Sequence, residues 1–168
     1  MSQNPHVRSM RLADLPDVLR IQAVCYTELV PESIDSFRSK VEASPSTCFV
    51  ASIEGEIVGY LIALLWDYSA PPELNAQTCC PPDSPNCLYL HDLAVLPAAR
   101  KAGAGALLVN SFFDALQRST LRRASLIAVQ DSARYWERFG FRVASVSDSL
   151  RSKIATYGSQ VNYMERLA

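Results

Sequence analysis

The chain has 168 residues, of which 49% are hydrophobic and 20% charged, and its formal net charge is −1 at pH 7. This length and composition predict a single globular domain over residues 1–168 with a substantial buried core. A charge so close to zero argues against nucleic acid or an anionic membrane as a partner. No signal peptide and no apolar run long enough to span a bilayer is visible, so we expect a cytoplasmic protein.

The cysteines predict free thiols, because the chain has five of them and no secretion signal. Cys79, Cys80 and Cys87 lie close to His91 in sequence. Zinc sites, however, usually use Cys-x-x-Cys pairs, and the chain has none. We therefore predict no metal site.

The first third of the chain predicts a strand followed by two helices. Residues His6–Met10 alternate as a strand does. Asp14 is the expected cap of the next helix. A second helix, which ends near Ser44-Pro45, is indicated by apolar residues at helical spacing, namely Ile34, Phe37 and Val41.

A hairpin and an irregular segment follow. Residues 47–53 and 56–66 are apolar runs joined by Glu54-Gly55, which predicts a β-hairpin whose second arm is a central strand. The Pro-rich loop, residues 67–86, holds five of the ten prolines and therefore cannot form helix or sheet interior. It either covers an acceptor pocket or is an ordinary surface excursion.

Residues 88–108 carry the most informative pattern. Leu88–Leu96 predicts a buried strand that Pro97 ends, and an amphipathic helix begins after the glycine turn at residues 100–105. The start of a helix offers free N–H groups and the positive end of its dipole, so with Arg100 and Lys101 beside it this turn is an expected anion site. Neither a P-loop nor the dinucleotide motif Gly-x-Gly-x-x-Gly is present.

The last quarter predicts a strand, a short helix and two closing strands. Residues 125–129 form the first strand, and Asp131 or Ser132 caps a helix that Gly140 ends. Residues 141–146 and 160–167 supply the closing strands. The predicted order is β-α-α-β-β-β-α-β-α-β-β.

These motifs resemble the GNAT (Gcn5-related N-acetyltransferase) superfamily. The turn is of the form Arg-x-x-Gly-x-Gly, it follows Leu93-Ala94-Val95 and Pro97, and Gly140-Phe141 matches a downstream family element. The resemblance covers nearly the whole chain. It implies an α/β GNAT fold, with a mixed central sheet of about six or seven strands, a splayed central pair and about four helices. By family analogy it also implies a homodimer.

The resemblance further implies acetyl-CoA as cosubstrate, bound at the glycine turn and at the strand before it. The residues expected to contact it are Leu93, Ala94, Val95, Arg100, Lys101, Ala102, Gly103, Ala104, Gly105, Ala106 and Ser132. In the family the segment between the first two helices forms a wall of the acceptor site, which implies substrate contacts from Tyr26, Glu28 and Leu29.

The strand also holds the candidate base. It is similar to the His-Leu-His-x-Leu-Ala-Val segment of serotonin (arylalkylamine) N-acetyltransferases, with Tyr89 in place of the first histidine and His91 matching the second. Because imidazole titrates near neutrality, His91 is the expected base, with Tyr89 as a further catalytic candidate. Alternation predicts two faces: Tyr89, His91 and Leu93 on one, and Leu90, Asp92 and Ala94 on the other.

The candidate acid departs from the family pattern. GNAT proteins usually place a tyrosine four residues before the Gly-Phe pair, and here that residue is Trp136, which has no phenolic proton. Either Tyr135 replaces it from about 100° around the helix, or the thiolate leaves unassisted, or the acid comes from elsewhere.

The predicted function is acetyl transfer to a primary amine by direct transfer in a ternary complex. A small-molecule acceptor is favoured, because the segment around His91 most closely matches the arylalkylamine enzymes. A protein or peptide N-acetyltransferase is one alternative. A non-catalytic acyl-CoA sensor is another, and Trp136 favours it.

Overall fold

The computed structural model describes residues 4–27 and 29–168. Its strands are β1 (His6–Ser9), β2 (Cys48–Ile53), β3 (Glu56–Trp66), β4 (Cys87–Val95), β5 (Arg123–Ala128), β6 (Arg142–Val143) and β7 (Asn162–Leu167). They form one sheet in the order β1-β2-β3-β4-β5-β7-β6. Neighbouring strands are antiparallel except β4 and β5, which run parallel. The predicted mixed α/β sheet is thus confirmed.

Five α-helices accompany the sheet: α1 (Leu15–Cys25), α2 (Ile34–Ala43), α3 (Ala104–Arg118), α4 (Ala133–Glu137) and α5 (Asp148–Ile154). Alternate side chains of β3 point to opposite faces of the sheet. Tyr60 and Ile62 pack with α1 and α2, whereas Leu61 and Ala63 pack with α3 and α4. The core therefore has one layer of helices on each side of the sheet.

Helix α5 is additional to the roughly four helices of the prediction. It packs Leu150 and Ile154 against a third cluster that includes Tyr89 and Tyr163. Two apolar residues in seven make too weak a pattern to separate this helix from a loop. Its one sequence signal is Ser147, whose side chain accepts a hydrogen bond from the Leu150 N–H.

Asp14 and Ser132 stand at the N-cap positions of α1 and α4, as predicted, but neither side chain makes the expected cap hydrogen bond. The Asp14 carboxylate binds the Arg8 guanidinium at 2.7 and 2.8 Å and the Arg11 N–H at 2.8 Å, so it does not cap α1. The hydrogen bonds from Arg8 lower the pKa of Asp14 despite its burial. Ser132 stands at the start of α4 without a side-chain cap bond.

The hairpin and the Pro-rich loop follow the prediction. Glu54 and Gly55 have φ values of +51° and +86°, as a two-residue type I′ turn requires. Residues 67–86 contain neither helix nor strand. Of the predicted closing strands, residues 141–146 are paired in the sheet only at β6, whereas residues 160–167 contain β7.

Two irregularities meet in the middle of β4. The strand pairs with β5 only from Leu88 to Leu90, so the expected splay of the central pair is present. On its other edge Ala63 pairs with Leu90 but Ile62 pairs with Asp92, so His91 is an extra residue, a β-bulge. The gap and the bulge together position the site.

Candidate active site

A cavity of about 690 Å³ lies where β4 and β5 diverge. Its walls come from the second half of β4, the start of α3, α4, the segment between α1 and α2, and single residues of the Pro-rich loop and the C-terminal region. The volume is within the range of sites that hold small molecules and cofactors. One end of the cavity is formed by the glycine turn and the other by His91 and its neighbours.

The bulge makes the predicted alternation of β4 wrong. His91 binds Glu32 of the α1–α2 connection, and Asp92 accepts a hydrogen bond from Tyr60 Oη at 2.8 Å within the α1–α2 core. Leu93 instead packs against the core on the α3 side. The extra residue shifts the phase of the strand, so His91 and Asp92 share a face and Leu93 lies on the other.

The glycine turn forms the anion-binding end. Gly103 precedes α3 with a φ of +87° and provides no side-chain cap. The first backbone hydrogen bond of this 15-residue helix runs from the Leu107 N–H to the Gly103 carbonyl, at 3.1 Å. The N–H groups of residues 104–106 therefore have no partner within the helix. Free N–H groups and the helix dipole suit a phosphate.

Gly105 lies where a side chain would crowd Tyr135. A Cβ at this position would lie 3.1 Å from Tyr135 Oη and 3.7 Å from Val95 Cγ2. The start of α3 is therefore packed closely between α4 and the end of β4. The missing side chain keeps space for a ligand between these elements.

Most of the predicted coenzyme residues line the cavity: Leu93, Ala94, Val95, Arg100, Lys101, Gly103, Gly105, Ala106 and Ser132. Ala102 and Ala104 do not line it, and Ala104 is fully buried behind the turn. Arg138, for which no role was predicted, also lines the cavity. It lies between Trp136 and the Gly140-Phe141 pair, so its position in this family motif was the one signal that could have indicated it.

The free edge of β4 presents backbone groups to the gap. Leu93 O accepts a hydrogen bond from Tyr26 Oη at 2.7 Å, and Val95 O accepts one from Arg100 Nε at 3.0 Å. The next residue, Leu96, donates its N–H toward β3, to Val58 O. Because the N–H and C=O of a strand residue point the same way, the N–H groups of Leu93 and Val95 face the gap.

The segment after α1 forms part of the opposite wall. Tyr26 and Leu29 line the cavity, whereas Glu28 lies outside the described residues. Burial raises the pKa of Tyr26 well above its usual range, and the nearby Asp92 charge adds to the effect. Tyr26 is therefore a neutral hydrogen-bond donor that fixes the edge of β4.

A buried carboxylate is the partner of His91. Glu32 Oε1 and Oε2 lie 3.0 and 2.9 Å from His91 Nε2, and the two side chains are 3% and 1% exposed. Lys40 Nζ lies 3.3 Å from Oε1. Burial alone would raise the pKa of Glu32, but the charges of His91 and Lys40 and the Asn75 N–H lower it to about 2.

Glu32 was not predicted as a site residue. A single glutamate in a short connection between helices ordinarily lies on the surface. Its burial depends on His91, Lys40 and Asn75, which are far from it in sequence or belong to other elements. No local pattern in the sequence signals such a contact.

Asp92 is a second proton-binding group beside His91. Burial raises the pKa of Asp92 to about 6, and repulsion from Glu32 adds to this, while His91 and the Tyr60 hydroxyl oppose it. Asp92 lines the cavity. The acceptor end therefore contains a carboxyl group whose pKa lies close to neutrality beside the imidazole of His91.

The two candidate tyrosines have different environments. Tyr89 is 1% exposed, packs in the third cluster with its ring centroid 6.1 Å from that of His91, and does not line the cavity. Burial raises its pKa well above the usual range. Tyr135 lines the cavity, and burial raises its pKa too. Trp136 is 7% exposed and packs edge-on against Phe141 in the core.

Two negative findings concern the described part of the chain. Residues 4–27 and 29–168 contain no group of three His, Cys, Asp or Glu side chains that could hold a metal ion. Within the same ranges, no helix has both the length and the apolar character needed to cross a membrane.

Comparison with known proteins agrees with this geometry. Residues 15–141 match the model of the acetyltransferase (GNAT) family. The chain belongs to this family. The uncharacterized N-acetyltransferase YkwB of Bacillus subtilis (strain 168) is 26% identical over 129 residues, which cover 70% of this chain and 57% of YkwB. This GNAT chain thus matches little more than half the length of that relative.

Two solved structures share this fold over nearly their whole length. The GphF GNAT-like decarboxylase, solved with isobutyryl-CoA, has a TM-score of 0.73 at 18% identity, covering 96% of this chain and 98% of its own. Arabidopsis thaliana Naa50, solved with the bisubstrate analogue CoA-Ac-MVNAL, has a TM-score of 0.71 at 16% identity, covering 97% and 98%. At these identities the likeness shows the fold alone.

Proposed function

We propose that this GNAT protein transfers an acetyl group from acetyl-CoA to a primary amine by direct transfer in a ternary complex. One observation carries the proposal. A single cavity joins the free N–H groups at the start of α3, the open edge of β4 and the His91–Asp92 pair. An anion site, a carbonyl-binding edge and a proton acceptor are the parts that acyl transfer from a thioester requires.

The coenzyme end fits a pyrophosphate and a thioester. The N–H groups at the start of α3, with Arg100 and Lys101 beside them, would bind the phosphates. The N–H groups of Leu93 and Val95 would donate to the pantetheine arm and to the thioester carbonyl, which polarises that carbonyl. These backbone groups are available in the proposed assignment because β4 does not pair with β5 beyond Leu90.

At the acceptor end, His91 would take a proton from the alkylammonium group so that its nitrogen can attack the thioester carbon. A new C–N bond would form and the C–S bond would break, so that the coenzyme leaves as the thiolate and the nitrogen loses its second proton to solvent as the amide forms. Tyr135, which lines the cavity near Gly105, would supply a proton to that thiolate and regain one from solvent. Trp136 has no such proton and is largely buried, so Tyr135 is the better candidate.

A small-molecule amine is the favoured acceptor. The Asp92 carboxylate would attract a cationic substrate, while Leu29, Leu74 and Tyr157 provide apolar and aromatic surface in the same cavity. Leu74 belongs to the Pro-rich loop, so this loop contributes to the cavity wall. The second candidate acceptor is the α-amino group of a peptide, because Naa50, which shares the fold, was solved with a peptide-containing bisubstrate analogue.

The test is thiol release from acetyl-CoA with arylalkylamines, polyamines and short peptides as acceptors. We expect turnover with at least one amine, and a large loss in the His91→Ala variant. His6→Ala is the matched control, because His6 is the only other histidine and is exposed on β1. Binding of acetyl-CoA without turnover on any amine would contradict the transferase proposal and favour the sensor.

A further inference from the structure

The contact between Glu32 and His91 determines which ring nitrogen carries the proton. Both carboxylate oxygens of Glu32 approach the same nitrogen, Nε2, at 3.0 and 2.9 Å. An ionised carboxylate can only accept hydrogen bonds. Nε2 must therefore be the protonated nitrogen, and in a neutral imidazole Nδ1 then carries the free lone pair.

The remaining contacts of Glu32 hold its carboxylate in place. Ser36 Oγ donates to Oε1 at 3.4 Å, and the Asn75 N–H of the Pro-rich loop donates to the same oxygen at 2.9 Å. The backbone of Glu32 is fixed as well. Its N–H donates to Gln22 Oε1 at 2.9 Å, and its carbonyl accepts from Gln22 Nε2 at 3.0 Å. Three separate segments thus fix Glu32 against His91.

Lys40 allows His91 to be neutral in this arrangement. A carboxylate as deeply buried as Glu32 needs a counter-ion. Lys40 Nζ, whose side chain is 2% exposed, provides it at 3.3 Å. Glu32 therefore has a counter-ion other than the imidazole of His91.

Among the described residues, the other ring nitrogen of His91 has no hydrogen-bond partner. Nδ1 is buried and makes no hydrogen bond to any of the described residues. An unpaired buried nitrogen is unfavourable, and such atoms often mark a functional site. His91 lines the cavity, next to the free edge of β4.

We propose that Glu32 is a positioning residue that holds His91 as the Nε2–H tautomer and leaves Nδ1 as the proton acceptor. The inference deepens the proposed function and rests on it for its catalytic consequence. Substrate binding must first expose Nδ1, which is buried in this structure. In the transfer step one proton then moves from the substrate ammonium nitrogen to Nδ1, while the proton on Nε2 stays hydrogen-bonded to Glu32. The resulting imidazolium is stabilised by the carboxylate, as in other carboxylate–histidine pairs.

The tautomer can be measured without any substrate. The chain has only two histidines, so the His6→Gln variant labelled with ¹⁵N-histidine gives the signals of a single imidazole. At a pH where the ring is neutral, we expect Nε2 to appear as the protonated nitrogen and Nδ1 as the unprotonated one. In this background Glu32→Gln should give a mixture of tautomers or the opposite one, because an amide can donate as well as accept.

Glu42→Gln is the matched control, because Glu42 is exposed on α2 and should leave the spectrum unchanged. An Nδ1–H tautomer in the wild-type ring, or an unchanged tautomer in Glu32→Gln, would overturn the proposal. Since Glu32→Gln leaves Lys40 without its counter-ion, the double variant Glu32→Gln/Lys40→Met provides a second test in which no buried charge is left unpaired.

Kinetics test the catalytic consequence. With the best amine, Glu32→Gln should lower kcat about 10- to 100-fold, which is less than most of the about 10²–10⁴-fold that general acid–base catalysis contributes, because the variant keeps the imidazole itself. The KM for acetyl-CoA should stay the same, and Glu32→Asp should restore part of the rate. Normal kcat in Glu32→Gln would refute the role of Glu32 while leaving the transferase function intact. If no amine is acetylated, the transferase proposal fails, yet the spectrum still decides the tautomer.

Discussion

The two ends of the cavity are built from different kinds of contact. The coenzyme end uses backbone N–H groups and glycines from one continuous segment, residues 93–106. The acceptor end joins groups from three parts of the chain. His91 and Glu32 are 59 residues apart, and the Asn75 N–H that binds Glu32 is 43 residues from it. We therefore expect most side-chain substitutions to have smaller effects at the first end than at the second.

This difference explains what the sequence could reveal. The Arg100–Gly105 turn, the helix after it and the strand before it form a local pattern that resembles the family, so the fold and most residues that line this end of the cavity were predictable. The bulge at His91 leaves no such pattern, because it is a mismatch in pairing with β3. Because the bulge could not be predicted, Asp92 and Leu93 were assigned to the wrong faces of β4. Glu32 was not identified as a site residue.

The largest expected effect is on the stability of the acceptor end. Because the folded-state pKa of Asp92 is raised to about 6, wild type is stabilised below the ordinary aspartate pKa and loses this contribution as the pH rises through 6. Asp92→Asn should match wild type near pH 4 and exceed it at pH 8 by up to about 3 kcal/mol in the free energy of unfolding. Denaturant unfolding at the two pH values measures this.

Asp35→Asn is the control for that experiment, because Asp35 is exposed on α2 and should show no pH-dependent difference. A constant difference between Asp92→Asn and wild type across the pH range would contradict the burial of an ionisable carboxyl group beside Glu32.

At the coenzyme end a side chain should obstruct binding. A Cβ at Gly105 would lie 3.1 Å from Tyr135 Oη, and such overpacking costs about 1–3 kcal/mol. Gly105→Val should therefore weaken acetyl-CoA binding about 10- to 100-fold, as measured by titration calorimetry. Asn110→Val, on the exposed face of the same helix, is the control. Equal affinity in Gly105→Val and wild type would show that the ligand binds elsewhere.

The smallest effect is expected from the candidate acid. Tyr135→Phe removes a hydroxyl that lines the cavity without changing its shape, and we expect kcat to fall about 10-fold, because thiolates leave readily without assistance. Trp136→Phe should instead reduce thermal stability, because Trp136 packs in the core against Phe141. A larger kinetic loss in Trp136→Phe than in Tyr135→Phe, in preparations that are equally folded, would reverse the assignment.

The most direct test of the central claim measures acetyl-CoA binding and thiol release in the same preparations of wild type and His91→Ala. If the cavity separates coenzyme binding from proton transfer, both proteins will bind acetyl-CoA with the same Kd. Turnover with the best amine will fall about 10²–10⁴-fold in the variant alone. Equal turnover in the two proteins, or a parallel loss of binding and turnover, would contradict this division of the site.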